Sequence, residues 1–457
     1  MTNRKNVLRK YAAVFCVVAL GNLFVLGCKP SSENSRLEQV EPVVDEESKP
    51  TMAEGRAASH PFRVSLSVSP FTNLMIASGV TFTDGKRRAR TDEELQRLFV
   101  AQGATEVYAR IATKRTSYSG ASDHSLEHGL ARARLAKKLG LPFNPELGLF
   151  DIYGDVQLQP PPDFSEYPEI DVPGPWETLT LDQMLPPLRK YGEVVARQIL
   201  DTGVRVNVWD IGNEVDYGFA GVALRPDPGV KQHPEDPDDW YIAPDNVDSE
   251  IGKKTRHDLR SMPQADRIAW LDKHVWPYMS RMLAAVADGI RAADPDARFS
   301  THIVGTIPLE PEMALAFYRA MKEGGFLPDE LGLSFYPTAG LPQREAVPPN
   351  PHLLNTFRET VETLREEFDR PVFIAEFGYP AELMKEGPFA SWNYELQDYP
   401  LTPKGQADLF RDLTSWGATA GLSGIRPWGP DFAAFGWEPM SLFRSEGKTA
   451  IARPSIQ

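Results

Sequence analysis

The 457-residue sequence holds only two cysteines, Cys16 and Cys28, both near its start. Everything after Cys28 must therefore fold without a thiol or a disulfide, and its stability rests on its apolar core. Positive charge is also scarce: 49 Lys and Arg stand against 63 Asp and Glu, a formal net charge of −14. No basic stretch offsets this, and so acidic a surface repels phosphate backbones and anionic headgroups. Nucleic acid is excluded as an expected partner, and neutral substrates fit. No glycine-rich phosphate-cradling turn follows the first strand-like run, which argues against dinucleotide chemistry. Neither a cofactor nor a metal is expected. Apolar residues are not lacking: at 42% hydrophobic and 10% aromatic, the chain can bury a large core, so disorder of the whole is excluded.

Arg4, Lys5, Arg9 and Lys10 precede an apolar run over 11–27, the layout of a secretory signal and slightly short for a membrane-spanning helix. The run ends in Val25-Leu26-Gly27-Cys28, which resembles the bacterial lipobox. That resemblance implies a signal peptide over 1–27, lipidation of Cys28 and membrane attachment through it, hence an exported lipoprotein of the cell envelope. Residues 28–60, rich in Ser, Glu and Pro, read as a flexible acidic tether. A single folded domain is expected over 61–457, working as a monomer.

From residue 62 onward strand-like and helix-like patterns alternate to the end. Strands are expected over 62–68, 105–112, 146–152, 204–211, 298–304, 330–335, 371–375 and 421–426. Helices are expected over 91–100, 123–139, 180–201, 265–293, 311–323, 351–368 and 403–416. Thr91 with Glu94 and Thr180 with Gln183 carry the capping spacing that starts a helix, and Gly103 and Gly140 stop two of them. Pro142 and Pro145 place the third strand late, from 146. Eight strands alternating with helices suit an α/β fold of the closed (β/α)8 TIM barrel type. After the fourth strand, residues 216–262 are rich in Pro, Asp and Gly and carry Trp240 and Tyr241. They are too long for an ordinary connection and read as a cleft-shaping insertion.

Two strand ends carry carboxyl groups in matching positions. The fourth expected strand runs into Gly212-Asn213-Glu214, and the seventh into Ala375-Glu376-Phe377-Gly378. In a barrel these ends face each other across the mouth, where catalytic groups sit. Glycoside hydrolysis needs one carboxyl to protonate the leaving oxygen and another to attack the anomeric carbon or activate water. The expected separation is roughly 5 Å, which goes with retention of configuration.

Gly212-Asn213-Glu214, Gly332-Leu333-Ser334-Phe335-Tyr336-Pro337 and Ala375-Glu376-Phe377-Gly378-Tyr379-Pro380 together resemble the clan A retaining glycoside hydrolases. Within that clan the chain is most similar to family 53, the endo-β-1,4-galactanases, over about residues 64–450. The resemblance implies that Glu214 is the acid/base and Glu376 the nucleophile. It further implies that Asn213 donates to the sugar 2-hydroxyl, that Arg110 sits beside Glu376, and that Tyr336 hydrogen-bonds Glu376. His302 would line the floor, and Trp428 would form the platform beneath the sugar. The implied substrate is a neutral β-linked polysaccharide, β-1,4-galactan or arabinogalactan. The chain departs from the family's Asp-Phe-His-Tyr-Ser-Asp run, having Asp151-Ile152-Tyr153-Gly154-Asp155, and has Tyr108 where an arginine is usual.

Two other readings compete. A surface lipoprotein could keep the barrel and bind carbohydrate without cleaving it, although retention of both Glu residues and Arg110 argues against this. His124-Ser125-Leu126-Glu127-His128 also fits the His-x-x-Glu-His pattern of inverted zinc proteases. Two histidines four apart on one helix could grip a zinc ion, but they equally extend the packing stripe of that helix.

Overall fold

The computed structural model describes residues 61–118, 122–227, 245–304, 310–339, 353–387, 389–434 and 436–456. The signal (1–27), Cys28 and the tether (28–60) lie outside the described residues, as do Trp240 and Tyr241.

Short, almost wholly buried runs form eight parallel strands: β1 (Arg63–Val64), β2 (Val107–Ile111), β3 (Phe143–Leu147), β4 (Trp209–Ile211), β5 (Phe299–Ile303), β6 (Glu330–Phe335), β7 (Val372–Phe377) and β8 (Leu422–Pro427). Each pairs with its sequence neighbour, and β8 pairs with β1. The remaining seam, between β1 and β2, is drawn together by three hydrogen bonds. Thr105 N donates to Val64 O at 3.0 Å, Val64 N to Thr105 Oγ1 at 2.9 Å, and Tyr108 N to Ser67 Oγ at 2.8 Å. The sheet thus closes on itself as a (β/α)8 barrel, as expected.

Seven helices return the chain between strands: α1 (Asp92–Ala101), α2 (Leu126–Leu139), α3 (Leu181–Leu200), α4 (Trp276–Ala293), α5 (Pro311–Glu323), α6 (Leu353–Phe368) and α7 (Pro403–Ala420). Local chemistry sets their ends. Thr91 caps α1 by accepting from Glu94 N, Thr180 and Gln183 form a capping box on α3, and Gly140 ends α2 in the left-handed conformation at φ +70°. The helices turn their apolar faces inward onto the outside of the sheet, and one continuous core runs between the two layers. A second apolar cluster, including Leu66, Leu98, Phe432 and Trp437, fills the space beside β1 and α1.

Three expectations are corrected. The third strand is Phe143–Leu147 and not 146–152, so Pro145 lies inside it. It is tolerated because β3 pairs with β4 only from Glu146↔Asp210 upward, with an isolated bridge at Phe143↔Val206 below. The missing N–H falls in that gap. The expected helix over 265–293 is two helices, Gln264–His274 and α4, broken at Val275, with Pro277 in the first turn of the second. Proline is well placed there, where its N–H would have no partner anyway. Finally, the first strand is much shorter than 62–68, because beyond Val64 side chains replace the backbone ladder: Gln96 accepts from Val68 N and donates to Leu66 O, and the Ser67 hydroxyl accepts from Tyr108 N.

Between β4 and α4 the described part of the long connection is a short hairpin, Gly218–Phe219 with Val222–Ala223, followed by the helical turns Asp245–Asp248, Ile251–Lys253 and Arg256–Arg260. It is fastened by side chains: Asp227 accepts from His257 N at 2.6 Å and from Arg260 at 3.1 Å, and Asp248 accepts from Tyr278 at 3.1 Å. Among the described residues, no helix is long and apolar enough to cross a membrane.

Candidate active site

β4 ends at Ile211, and the next three residues turn sharply to aim two polar side chains into the barrel mouth. Gly212 takes φ +83°, and a Cβ there would come within 2.5 Å of Val215 Cγ1, so the turn requires glycine. Glu214 itself adopts φ +51°, a left-handed conformation that a side-chain-bearing residue keeps only where its surroundings enforce it. Four hydrogen bonds do so. Gly212 N donates to Leu147 O at 2.8 Å and Val215 N to His302 O at 3.1 Å. Gln159 Nε2 donates to Asn213 O at 2.7 Å, and Val304 N to Asp216 Oδ2 at 2.9 Å.

Glu376 arrives on β7, level with Ser334 on β6, where the register slips between Leu333 and Ser334. Such irregularities re-aim side chains next to active sites. The Ser334 hydroxyl donates to Glu214 Oε1 at 3.0 Å, so one residue stands level with one carboxyl and bonded to the other. Val156 N reaches Glu214 Oε2 at 3.3 Å. Around Glu376, Arg110 Nη2 donates to Oε1 and the Tyr336 hydroxyl to Oε2, the latter at 2.6 Å. The elements that sequence reasoning paired, the ends of β2, β4, β6 and β7, therefore do bring Arg110, Asn213, Glu214, Tyr336 and Glu376 together.

Asn213 is held in one amide orientation. Its Oδ1 accepts from Arg110 Nη2 at 2.7 Å and faces His302 Nε2 at 3.0 Å, while its Nδ2 donates to Gly154 O at 2.7 Å. An amide NH2 has two donors, so one N–H is left to offer to a ligand. His302 is fully buried beneath Asn213, with Nδ1 at 3.9 Å from Asp210. Burial disfavours its charged form, but Asp210 and Glu146 outweigh that and raise its pKa; a protonated ring then donates to Asn213. Trp428 follows β8, half-exposed at the mouth, with the rings of Phe71 and Trp437 packed against it edge-on at 5.8 and 4.7 Å.

Burial, then the negative charges of Glu376 and Asp155, push the Glu214 pKa up to about 8. The Tyr336 hydroxyl is raised well above the ordinary phenol value, by burial first and by Glu376 second, so it remains a proton donor to Glu376. Asp155 and Asp216 are also raised, Asp216 to about 6, chiefly by burial. The site thus holds one carboxyl kept protonated near neutrality and another surrounded by donors, the division of labour that acid–nucleophile chemistry requires.

Several participants escaped sequence reasoning. Under the mouth, Glu146 accepts from Arg110, from Tyr108 OH at 2.9 Å and from Arg426 Nη1 at 3.1 Å. Arg426 also reaches Asp210 at 3.3 Å and Asn144 at 2.6 Å, and its guanidinium lies 3.8 Å above the Tyr108 ring. The signal was present: each of these polar residues occupies a position within a strand whose neighbours are buried. Glu146, Asp210 and His302 present ligand atoms within 4.8 Å of one another, but the guanidinium groups of Arg110 and Arg426 already hold the two carboxylates, which does not suit a cation.

The zinc reading is overturned by geometry. α2 begins at Leu126 with Ser125 as its cap, so His124 precedes the helix and does not share a face with His128. Glu127 is exposed and accepts from Ser117 N, while Arg132 Nε donates to His128 Nε2 at 3.3 Å. A guanidinium therefore stands where the metal would be.

The model of Glycosyl hydrolase family 53 matches residues 238–451, a span that starts inside the long connection after β4 and contains Glu376 and Trp428. An arabinogalactan endo-beta-1,4-galactanase of Cellvibrio japonicus (strain Ueda107) is 28% identical over 125 residues. That match covers 26% of this chain and 31% of the curated relative, less than a third of its length. The GH53 catalytic domain of Ignisphaera aggregans superposes with a TM-score of 0.60 at 18% identity, over 88% of this chain and 96% of that one. A structure from a study of two fungal beta-1,4-galactanases gives 0.60 at 15% identity, over 88% and 99%. The fold is shared across both structures, and the motif resemblance to family 53 of clan A is borne out.

Proposed function

We infer, from this likeness to the clan A glycoside hydrolases of family 53, that the chain is a retaining glycoside hydrolase acting on a neutral β-linked polysaccharide, β-1,4-galactan or arabinogalactan. The observation that carries the reading is the pairing of Glu214, raised to about 8, with Glu376, to which Arg110 and Tyr336 donate.

In the first step the Glu376 carboxylate attacks the anomeric carbon while protonated Glu214 gives its proton to the glycosidic oxygen. The carbon–oxygen bond breaks and a glycosyl ester forms on Glu376. In the second step Glu214, now a carboxylate, takes a proton from water, and that water displaces Glu376 from the anomeric carbon. Two inversions give net retention. Tyr336 and Arg110 hold the Glu376 carboxylate in line, Asn213 presents its free N–H to the sugar beside the reacting carbon, and Trp428 supplies an apolar face for the ring. His302 acts through Asn213 and is a positioning residue.

Exchanging Glu376 for Gln should abolish release of reducing ends from galactan while leaving the fold intact; near-normal turnover would sink the assignment. Proton NMR of the first products should show the β anomer before mutarotation. Parallel digests of galactan, arabinogalactan, mannan and xylan identify the sugar. We further propose that the enzyme is exported and lipid-anchored at Cys28 and works as a monomer. Cys28→Ser should abolish incorporation of labelled palmitate and release the protein from membranes, and light scattering should give the mass of one chain.

A further inference from the structure

The first strand and its continuation place serine at alternate positions, Ser65, Ser67 and Ser69, all buried. Side chains at i, i+2 and i+4 line one face of an extended chain. Arg63, two residues before Ser65, points to Glu106 and Glu330 and sits over the Phe373 ring inside the barrel. Small side chains above it leave space, and a cavity of about 30 Å³ lies there, bounded by these serines, His124, His128, Arg110 and Trp428. It has room for about one or two water-sized groups and none for a sugar ring.

The chemistry of the walls is neutral and polar. Burial first, and Arg110 second, lower the His124 pKa to about 3; burial and Arg132 lower that of His128. Both rings are uncharged, so each has one donor and one acceptor nitrogen. The His124 ring lies beside the Arg110 backbone and, as a neutral imidazole, keeps one nitrogen as an acceptor. His128 accepts from Arg132 at Nε2, which leaves an N–H. The Ser65 hydroxyl is buried without a hydrogen-bond partner. The charged group on the wall, Arg110, is engaged by Glu146, Asn213 and Glu376. An acceptor, a donor and an unpaired hydroxyl with no uncommitted charge match an alcohol. Arg110 contacts Glu376, while the groups that touch Glu214, Ser334 and Val156, lie outside the cavity. The cavity is therefore on the side of the cleaved bond that stays with the nucleophile.

We propose that this cavity, walled by Ser65, His124 and His128 between Arg110 and Trp428, binds a single uncharged hydroxyl or hydroxymethyl arm of the glycan on the side retained by Glu376. The proposal rests on the glycosidase reading above. It makes these three residues determinants of which sugar sits beside Trp428, and it gives the His-x-x-Glu-His stretch a use that needs no metal.

The test compares the full chain with Ser65→Val and His124→Ala variants, each also made in an E376Q background for binding. Ser65→Val adds bulk and breaks no side-chain hydrogen bond; His124→Ala removes the acceptor. The probes are the tetrasaccharides of β-1,4-linked galactose, mannose, glucose and xylose, and the best ligand of the E376Q chain is used throughout. Titration calorimetry should show Kd raised about tenfold in both variants, the size expected for losing one neutral hydrogen bond in a desolvated site. KM should rise with it while kcat changes little, and Tm should hold in Ser65→Val. Unchanged Kd and KM in both variants, with hydrolysis intact, overturns the pocket alone. A drop in kcat at constant KM also overturns it, since that places the residues at the reacting atoms. A chain that neither binds nor cleaves any of the four overturns the pocket together with the glycosidase reading.

Discussion

Removing the charge of Glu376 should make Glu214 a stronger acid. Burial is the largest cause of the rise of the Glu214 pKa to about 8, and the Glu376 carboxylate comes next. At the roughly 5 Å that a retaining mechanism requires, the two carboxylates would repel by about 3 kcal/mol at an effective dielectric near 20. That is about a hundredfold in proton affinity. In Glu376→Gln the Glu214 titration should therefore move from about 8 toward about 6, with burial still holding it above a free glutamic acid. Carbon-13 NMR of glutamate-labelled protein reads this directly, with Glu214→Gln assigning the resonance. On the proposed mechanism the same fall accompanies conversion of Glu376 to a glycosyl ester, and would turn Glu214 from the acid of the first step into the base of the second. In the active enzyme kcat/KM should fall as pH rises through about 8, because the free enzyme needs Glu214 protonated. A Glu214 titration unchanged in Glu376→Gln, or a basic limb well below pH 6, would refute the electrostatic argument.

Other outcomes follow from the same geometry. The raised Glu214 pKa means the folded state holds its proton more tightly than the unfolded chain, so this group's contribution to stability is present below 4.5 and is lost as pH rises toward about 8. Glu214→Gln should accordingly unfold at a higher temperature than the parent at pH 9, by calorimetry, while losing turnover of unactivated galactan. Tyr336→Phe removes the hydroxyl that donates to Glu376 at 2.6 Å and should lower kcat by about tenfold to a hundredfold with little change in Tm, the range for a charge-assisted hydrogen bond of about 1.5–3 kcal/mol. Arg426→Met strips a guanidinium from between Glu146 and Asp210 and should cost about 3–5 kcal/mol in urea unfolding, because it leaves buried charge uncompensated.

The barrel was legible because its evidence is periodic. Capping residues, glycine stops and apolar runs recur through the chain, and α1, α5 and β6 lie within a residue of where those signals put them. The meeting of two carboxyls at the barrel mouth was legible because strand-end position and residue type coincide at Asn213-Glu214 and at Glu376. What stayed hidden depends on contacts between distant strands. Nothing local marks Glu146, Asp210 and Arg426 as partners, since the strands carrying them are separated by up to 280 positions. Pro145 misled for the same reason: a proline is forbidden in a strand only where its neighbour needs the N–H, and the β3–β4 gap is a tertiary fact.

The buried ionic layer also explains how the chain can carry Tyr108 where the resemblance implies an arginine. Glu146 would lose a cationic partner, but Arg426 reaches it from β8 at 3.1 Å and stacks on the Tyr108 ring at 3.8 Å, while Tyr108 OH supplies a further donor at 2.9 Å. Charge beneath Arg110 is thus balanced from the opposite side of the seam. The consequence is testable by a double substitution. Tyr108→Arg alone adds a second guanidinium beside Arg426 and should destabilise the fold, whereas Tyr108→Arg with Arg426→Met restores one cation for Glu146. If Tyr108 and Arg426 act as one unit, the double variant recovers at least about 1 kcal/mol relative to the sum of the two single changes, the scale of coupling between contacting charged residues. Strict additivity in urea unfolding would mean that Tyr108 and Arg426 support Glu146 independently, and the balance argument would fall.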